Sequence, residues 1–258
     1  MARLWALVRI KKKRGKTMRS KILRVCAAAL LAASMMLTTA CNAKKTEDAV
    51  LYQNAVDDCI VAEQSEILPL VNLTEGNESA NIKDGKVLLI TFHHYPSSYV
   101  PGTTNEDIGY NMWTFTDKEI IDWYKNTDKN VGDWHLRFCQ LLGMSKTSTN
   151  TYFAGVWADL DDVIRPAYVT DVTKPMKNEF DEDATDEYKN WFNDNYVYSY
   201  SSENPDWRSP WTRLGYTYDW ADNGKVYGLS EFLIQKGADV TVEFNYSIEE
   251  FVQYLERQ

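Results

Sequence analysis

Residues 86–95, "KVLLITFHHY", decide the fold class of this chain. They form a strongly apolar run that contains β-branched residues, and loop-like sequence stands on both sides of it. Such runs are typical of strands in the middle of a sheet. We therefore predict a central strand that ends near His93.

Outward from this strand, helix and strand patterns are mixed, without the strict strand–helix alternation that indicates a parallel sheet. Residues 151–158, "TYFAGVWA", predict a further strand. Because no linker-like segment interrupts the body of the chain, we predict a single α+β domain over residues 50–258. It should have a largely antiparallel sheet, several flanking helices and a C-terminal helix. Apolar spacing and capping motifs predict helices at residues 50–70, from Thr116, at 133–142 before Gly143, from Thr185, and at 247–256. Thr116–Glu119 and Ser247–Glu250 fit capping boxes, in which the hydroxyl and the glutamate side chain each accept a backbone N–H of the helix start.

The first forty residues have the pattern of an export signal. They contain ten Lys or Arg and no acidic residue, and residues 26–40 carry no charge. This uncharged run is shorter than the about 20 residues that a membrane span needs, but it fits a signal peptide.

The end of this segment, "LTTAC", resembles the bacterial lipobox, which implies cleavage before Cys41 and acylation of its sulfur. We therefore expect a signal peptide at 1–40 and a lipidated tether at 41–49. Residues 1–17 are either sequence before the true start or a long basic region. The acylated Cys41 would hold the protein in the lipid bilayer, on the outer face of the bacterial cytoplasmic membrane.

After residue 40 the chain is strongly acidic, with 18 Lys or Arg against 37 Asp or Glu. Such a surface repels phosphate backbones, so we expect no nucleic-acid partner. Only Cys59 and Cys139 would remain as thiols in the exported domain. Two cysteines do not make a disulfide framework, and the sequence leaves their pairing open.

The segment "PWTRLGYTYDW", residues 210–220, predicts the first strand of a hairpin. It is followed by Asn223-Gly224, which favours a type I′ turn with positive φ at both residues. This turn would place Tyr216 opposite Glu231 and Tyr218 opposite Leu229, on one covered face.

A carboxyl group among aromatic rings has a raised pKa, which makes Glu231 a candidate acid or base. Alternatively, Glu231 accepts a hydrogen bond from a tyrosine or pairs with an arginine such as Arg165.

Metal and nucleophile motifs are weak. His93 and His94 are adjacent and would point to opposite faces of a strand, which disfavours zinc; His93 is either a general base near Glu231 or a hydrogen-bonded structural residue. The run "DWADNG" resembles the start of an EF-hand loop, but Ala221 and Ser230 occupy ligand positions, so only a looser calcium site stays open. No nucleophile elbow occurs. We predict no cofactor and assign no metal ligand.

Five segments resemble shared segments of a family of bacterial proteins with no assigned activity. They are "FHHYPSSYVPG", "LRFCQLLGM", "VIRPAY", "PWTRLGYTYDW" and "YGLSEF", and the similarity covers most of residues 85–245. The resemblance implies a common fold and no particular substrate. It directs attention to the polar residues inside these segments: His93, Tyr95, Arg165, Arg213, Tyr216, Tyr218, Asp219 and Glu231.

Residues 41–258 contain 33 aromatic residues, which either fill the core or line a groove for a sugar or peptide. Three functions follow as hypotheses. The first is a lipoprotein that binds a small polar ligand, a sugar or a peptide, through Arg165, Arg213, Tyr216, Tyr218, Asp219 and Tyr95. The second is an envelope hydrolase or transferase in which Glu231 and His93 transfer protons and Arg165 or Arg213 stabilises an anionic intermediate. The third is a structural or protein-interaction lipoprotein, and whether the protein is an enzyme stays open.

Overall fold

Strand β2, Lys86–His93, lies at the centre of the main sheet, as its sequence predicts. Its side chains alternate between two cores: Val87 and Leu89 pack into one, and Ile90 and Phe92 into the other. A strand covered on both faces needs apolar residues at consecutive positions, which explains the unbroken apolar run.

The computed structural model describes residues 47–201 and 208–258. The predicted signal peptide and Cys41 lie outside the described residues. Of the described residues, 51–201 and 208–258 form one compact unit.

The main sheet has eight strands, and all of its pairings are antiparallel, so the predicted α+β class is confirmed. Besides β2, the strands are β1 Asn81–Lys83, β3 Thr104–Asn105, β4 Met112–Thr116, β5 Tyr152–Asp159, β6 Val163–Ile164, β7 Tyr216–Tyr218, β8 Tyr227–Ser230, β9 Phe232–Ile234 and β10 Val240–Ser247. The order in the main sheet is β3-β10-β5-β2-β4-β9-β6, and β1 pairs with β2 alongside this path. A separate two-stranded ribbon is formed by β7 and β8.

Five helices accompany the sheet in the described ranges: α1 at residues 47–58, α2 Asp117–Lys125, α3 Trp134–Leu141, α4 Asp186–Tyr200 and α5 Ile248–Glu256. The predicted N-caps of α2 and α5 are confirmed, because the Thr116 and Ser247 side chains each accept a backbone hydrogen bond from the first turn. The side chains of Asp133 and Thr185, where we predicted that helices begin, cap α3 and α4 in the same way. Gly143 follows α3 with a φ of 64°, as expected for a left-handed cap.

The first helix is shorter than predicted. The sequence predicted a helix over residues 50–70, but α1 ends at residue 58 and only a 3-10 turn, Gln64–Glu66, follows. A guanidinium NH2 of Arg213 donates to the carbonyl oxygen of Cys59. This tertiary contact satisfies a carbonyl at the helix C-terminus, so the chain can leave the helix there.

The hairpin turn and its register were predicted wrongly. Only Gly224 of the predicted turn pair has a positive φ, 71°, so a type I′ turn is absent. Tyr216 lies opposite Ser230 instead of Glu231, and Tyr218 lies opposite Tyr227 instead of Leu229. The connection is therefore a wider loop, closed where the Asp219 N–H donates to the Val226 carbonyl at 2.8 Å.

Helices α2, α3 and α5 cover one face of the sheet with aromatic and aliphatic side chains. Phe153 of β5 stacks on Phe251 of α5 at 4.1 Å between ring centroids and contacts Phe138 of α3 at 4.9 Å. Each fully buried ring of this kind stabilises the fold by about 1.5–3 kcal/mol. This core packs against β2, at whose end the candidate site lies.

Candidate functional site

A cavity of about 480 Å³ opens where β2 ends and β4 runs beside it. Its walls come from the end of β2, from β4, from the loop after α3, from the last turns of α4, from residues 209–211, and from β7. This volume lies in the usual range of small-molecule sites, about 300–1,000 Å³.

Aromatic side chains dominate the cavity wall. Among the Phe, Tyr and Trp side chains of the described residues, four are exposed, and all four line this cavity: Tyr95, Tyr110, Trp113 and Tyr198. The Trp113 ring packs edge-to-face against the buried Trp211 ring, at 89° and with centroids 6.1 Å apart, and this contact orients Trp113 in the wall. Exposed rings gathered in one concavity are a mark of a binding surface.

Glu231 lines the same cavity, and it is the residue that links the ribbon to the main sheet. Strand β8 ends at Ser230 and β9 begins at Phe232, and the Glu231 N–H donates to the Gly215 carbonyl at 2.9 Å. The Glu231 carboxyl has no hydrogen-bond partner among the described residues, and the side chain is half-buried. Burial raises its pKa to about 8.

His93 also lines the cavity, but both of its ring nitrogens are engaged by the protein. Nδ1 accepts the Tyr95 N–H at 3.1 Å, so Nε2 carries the proton and donates to Asn245 Oδ1 at 3.1 Å. Burial lowers the pKa of His93 to about 4, although the bond to Asn245 opposes this shift. This geometry matches the hydrogen-bonded structural alternative that the sequence left open.

The structure brings four of the predicted residues to this cavity: His93, Tyr95, Tyr216 and Glu231. The Tyr216 hydroxyl donates to the Glu66 carbonyl at 3.1 Å, so this residue presents its ring to the wall. The other four predicted site residues lie outside the cavity lining: Arg165, Arg213, Tyr218 and Asp219.

Arg165 is fully buried, and its guanidinium binds backbone and side-chain oxygens of neighbouring loops. It does not bind the Glu231 carboxyl. It donates to the carbonyl oxygens of Val71 at 2.9 Å and of Asp171, and to Asn72 Oδ1 at 2.8 Å. Burial lowers its pKa to about 10, with Asp171 opposing the shift. The predicted alternative in which Arg165 pairs with Glu231 is wrong.

Arg213 is buried in a cage of tyrosines. Its guanidinium carbon lies 5.0 Å from the Tyr196 ring centroid and 5.5 Å from that of Tyr200, and NH1 donates to the Tyr168 hydroxyl at 3.2 Å. Its backbone has a φ of 61°, a strained value for a residue other than glycine. The side-chain contacts, including the bond to Cys59, hold this conformation.

Asp219 and Tyr218 have structural partners as well. Asp219 accepts two bonds from Arg137 of α3, at 3.0 and 2.6 Å, and also accepts the Ala221 N–H at 3.1 Å. The Tyr218 hydroxyl donates to Asp58 Oδ2 at 2.9 Å. Removing one partner of a buried ion pair such as Arg137–Asp219 costs about 3–5 kcal/mol.

Glu119 takes the structural role that the sequence assigned to Glu231 as an alternative. We predicted a capping box in which the Glu119 side chain bonds back to its helix, and this half of the box is wrong. Its carboxylate instead accepts the Tyr227 hydroxyl at 2.7 Å and the Ser230 N–H at 2.8 Å. Burial raises the pKa of Glu119, and these hydrogen bonds oppose the shift.

The sequence analysis did not identify Trp113, Tyr110 or Tyr198. Trp113 is exposed in the otherwise buried strand β4, "MWTFT". Alternation along the strand could not show this, because Phe115 shares the face of Trp113 and is buried. Tyr110 and Tyr198 carried no signal either, because one lies in a loop and the other on a helix with many aromatic residues.

Within residues 47–201 and 208–258, no cluster of three or more His, Cys, Asp or Glu side chains is arranged to hold a metal ion. In the same part of the chain, no helix is both long and apolar enough to cross a bilayer. Cys59 and Cys139 are buried free thiols.

No family model, curated protein or solved structure matches the chain. The resemblance of the five sequence segments to a bacterial family therefore stays a prediction.

Proposed function

We propose that this protein is an exported bacterial lipoprotein whose cavity binds a small polar ligand with an apolar face, such as a sugar or a peptide. One observation carries this proposal: the four exposed aromatic side chains of the described residues all line the cavity that also contains the unpartnered Glu231 carboxyl.

Aromatic walls bind such ligands because rings stack on apolar faces and exclude water, while a few polar groups set the orientation. Most polar side chains in this wall already have protein partners. Asn150, for example, donates to the Phe92 carbonyl at 2.8 Å and bonds His94 Nδ1 at 2.9 Å. Glu231 is the carboxyl that remains for a ligand.

Binding is tested by titration calorimetry of the full chain in detergent against cell-wall sugars and stem peptides. We expect Trp113→Ala and Tyr198→Ala to weaken binding at least about tenfold, since each removes an exposed stacking surface. Trp157→Ala is the matched control, because this half-buried tryptophan of β5 lies away from the cavity and bonds Glu243 at 2.9 Å. No heat across the panel, or equal losses with the control, would refute the proposal.

We also propose that acylated Cys41 anchors the protein to the outer face of the cytoplasmic membrane. The support is the charge pattern and the "LTTAC" ending of the first 41 residues. Metabolic labelling with a palmitate analogue should mark the protein, and Cys41→Ser should abolish the label and release the protein from membranes. A Cys41→Ser variant that is labelled normally would contradict this anchor.

A second candidate function is a hydrolase or transferase in which Glu231 transfers a proton. The favouring observation is its pKa of about 8, which suits a general acid or base near neutral pH. Because both nitrogens of His93 have protein partners, Glu231 would act without it in the present geometry. Turnover of the same cell-wall panel that persists unchanged in Glu231→Gln would end this candidate.

A further inference from the structure

The cavity that we propose as a binding site has an unusual balance of charge. Among residues 47–201 and 208–258, its lining contains one carboxyl group, Glu231, and no Lys or Arg. His93 is held neutral by its two hydrogen bonds and by burial, and His94 is exposed and bonded to Asn150. An anionic ligand would therefore meet a carboxyl without any lysine or arginine to offset it.

The Glu231 carboxyl differs from every other acid whose burial raises its pKa in the described residues. Glu119 accepts bonds from Tyr227 and Ser230, and Asp117 stands at the first position of α2, where the helix dipole favours negative charge. The Glu231 carboxyl has no hydrogen-bond donor among the described residues and does not lie at a helix N-terminus. A carboxyl placed in this way stays protonated until a cation comes close enough to offset its desolvation.

The aromatic wall supplies the second half of a cation site. Trp113 is exposed, and Tyr95, Tyr110 and Tyr198 are the other exposed rings of the lining. The faces of such rings attract organic ammonium ions through their quadrupoles, and Trp does so most strongly.

From this arrangement we propose that the cavity selects ligands that carry an organic ammonium group, seated between the Trp113 face and the Glu231 carboxylate. This inference rests on the proposed binding function and names the class of its ligand. The acidic surface of the exported body, with 18 basic against 37 acidic residues, raises the local concentration of cations and favours their entry.

The test compares ligands that differ only in charge, using the full chain in detergent. One pair is choline and 3,3-dimethyl-1-butanol, its uncharged carbon analogue; the other is glucosamine and glucose. We expect the charged member of at least one pair to bind at least about tenfold more tightly than the neutral member. Equal affinity, or tighter binding of the neutral members, overturns the inference while leaving the proposed binding function intact.

Variants then test whether Glu231 causes the preference for the charged ligand. Glu231→Gln should weaken binding of the ammonium ligand about tenfold or more and leave the neutral analogue unchanged, because only the charge is removed. Glu243→Gln is the matched control, since it removes the same charge from an exposed position on β10, away from the cavity. An equal loss in both variants would show that general surface charge, and not this site, selects the cation.

A second variant tests the same site in case Glu231→Gln does not fold. Trp113→Phe keeps an apolar ring but weakens the attraction for a cation, so it should lower the ratio of charged to neutral affinity. If the ratio of charged to neutral affinity is unchanged in this variant, then the ammonium group does not bind against Trp113. If neither member of either pair binds, and the cell-wall panel also gives no heat, then the inference and the proposed function both fail.

Discussion

At the scale of single residues, Glu119 and Glu231 show how environment separates two carboxyl groups of the same chain. Both have a raised pKa because the protein excludes water from them. Glu119 compensates with hydrogen bonds from Tyr227 and Ser230, whereas Glu231 has no such partner among the described residues. The first therefore joins α2 to β8, and the second remains available at the cavity.

The missing partner of Glu231 predicts a dependence of stability on pH. Its pKa of about 8 in the folded state lies above the ordinary value of 4.5, so the native state keeps a proton that the unfolded chain releases. This contribution to the free energy of unfolding is present below the ordinary value and is lost as pH rises through about 8. Between about pH 5 and 8, the free energy of unfolding of the wild type should therefore fall by a few kcal/mol relative to that of Glu231→Gln. Urea unfolding at a series of pH values measures this difference.

The control for this measurement is Glu243→Gln, whose side chain is on the exposed part of β10. Because this side chain lies on the surface, Glu243→Gln serves as the reference for removing a surface carboxyl from the same protein. Parallel curves for the wild type and Glu231→Gln would mean that the carboxyl is solvated in solution.

For His93 we expect the opposite dependence of stability on pH. Its folded-state pKa of about 4 lies below the ordinary value of 6.5, so the native state favours neutral imidazole. The stability that neutrality contributes is present above the ordinary value and is lost as pH falls toward 4. His93→Gln should remove this acid-sensitive component, which urea unfolding between pH 7 and 4 measures. Unchanged acid sensitivity in the variant would contradict the buried, doubly bonded imidazole.

At the scale of elements, side-chain contacts set the geometry of the ribbon, and the turn dipeptide does not. Asp219 accepts bonds from Arg137 and from the backbone of Ala221, and the Asn223 side-chain amide donates to it at 3.2 Å. These contacts hold the connecting loop open and shift the register from the one that a two-residue turn would impose. The shift is what leaves Glu231 between two strands instead of opposite Tyr216.

The ribbon also lies very close to the end of α3, so we expect a side chain at Gly228 to destabilise the fold. A Cβ atom there would lie 2.2 Å from the Leu141 carbonyl oxygen and 2.3 Å from Thr217 Oγ1. Gly228→Ala should therefore lower the free energy of unfolding by about 1–3 kcal/mol, because the backbone must move. Gly132→Ala is the matched control, since its Cβ would have no neighbour within 4 Å and its φ is not positive.

Chemical denaturation of both glycine variants measures this difference. Because Leu142, Gly143 and Met144 line the cavity, Gly228→Ala should also weaken ligand binding. A Gly228→Ala variant as stable as Gly132→Ala would show that α3 and the ribbon are less closely packed than described.

At the scale of the whole molecule, the packing of the chain buries both thiols of the described residues, Cys59 and Cys139. Cys139 is fully buried in the core with α3, and burial raises its pKa to about 12; burial also raises the pKa of Cys59. Thiols of this kind are unreactive, because the thiolate is the nucleophile.

We therefore expect an alkylating reagent to leave Cys59 and Cys139 unmodified in the native protein and to modify both in urea without a reductant. Peptide mass spectrometry resolves these positions from Cys26 and Cys41. Fast native labelling would contradict their burial. Labelling in urea only after reduction would show that the two cysteines pair, the alternative that the sequence left open.

The sequence alone determined the local features of this protein. The apolar run of β2, the caps at Thr116, Asp133, Thr185 and Ser247, and the Gly143 stop depend on neighbours in the chain, so the α+β class and four helices could be predicted. Only the tertiary structure decided where α1 ends, which register the ribbon takes and which glutamate remains free. These depend on Arg213, Asp219 and Glu119 meeting atoms far away in sequence. Periodicity carries no information about such contacts, because each results from packing the whole chain.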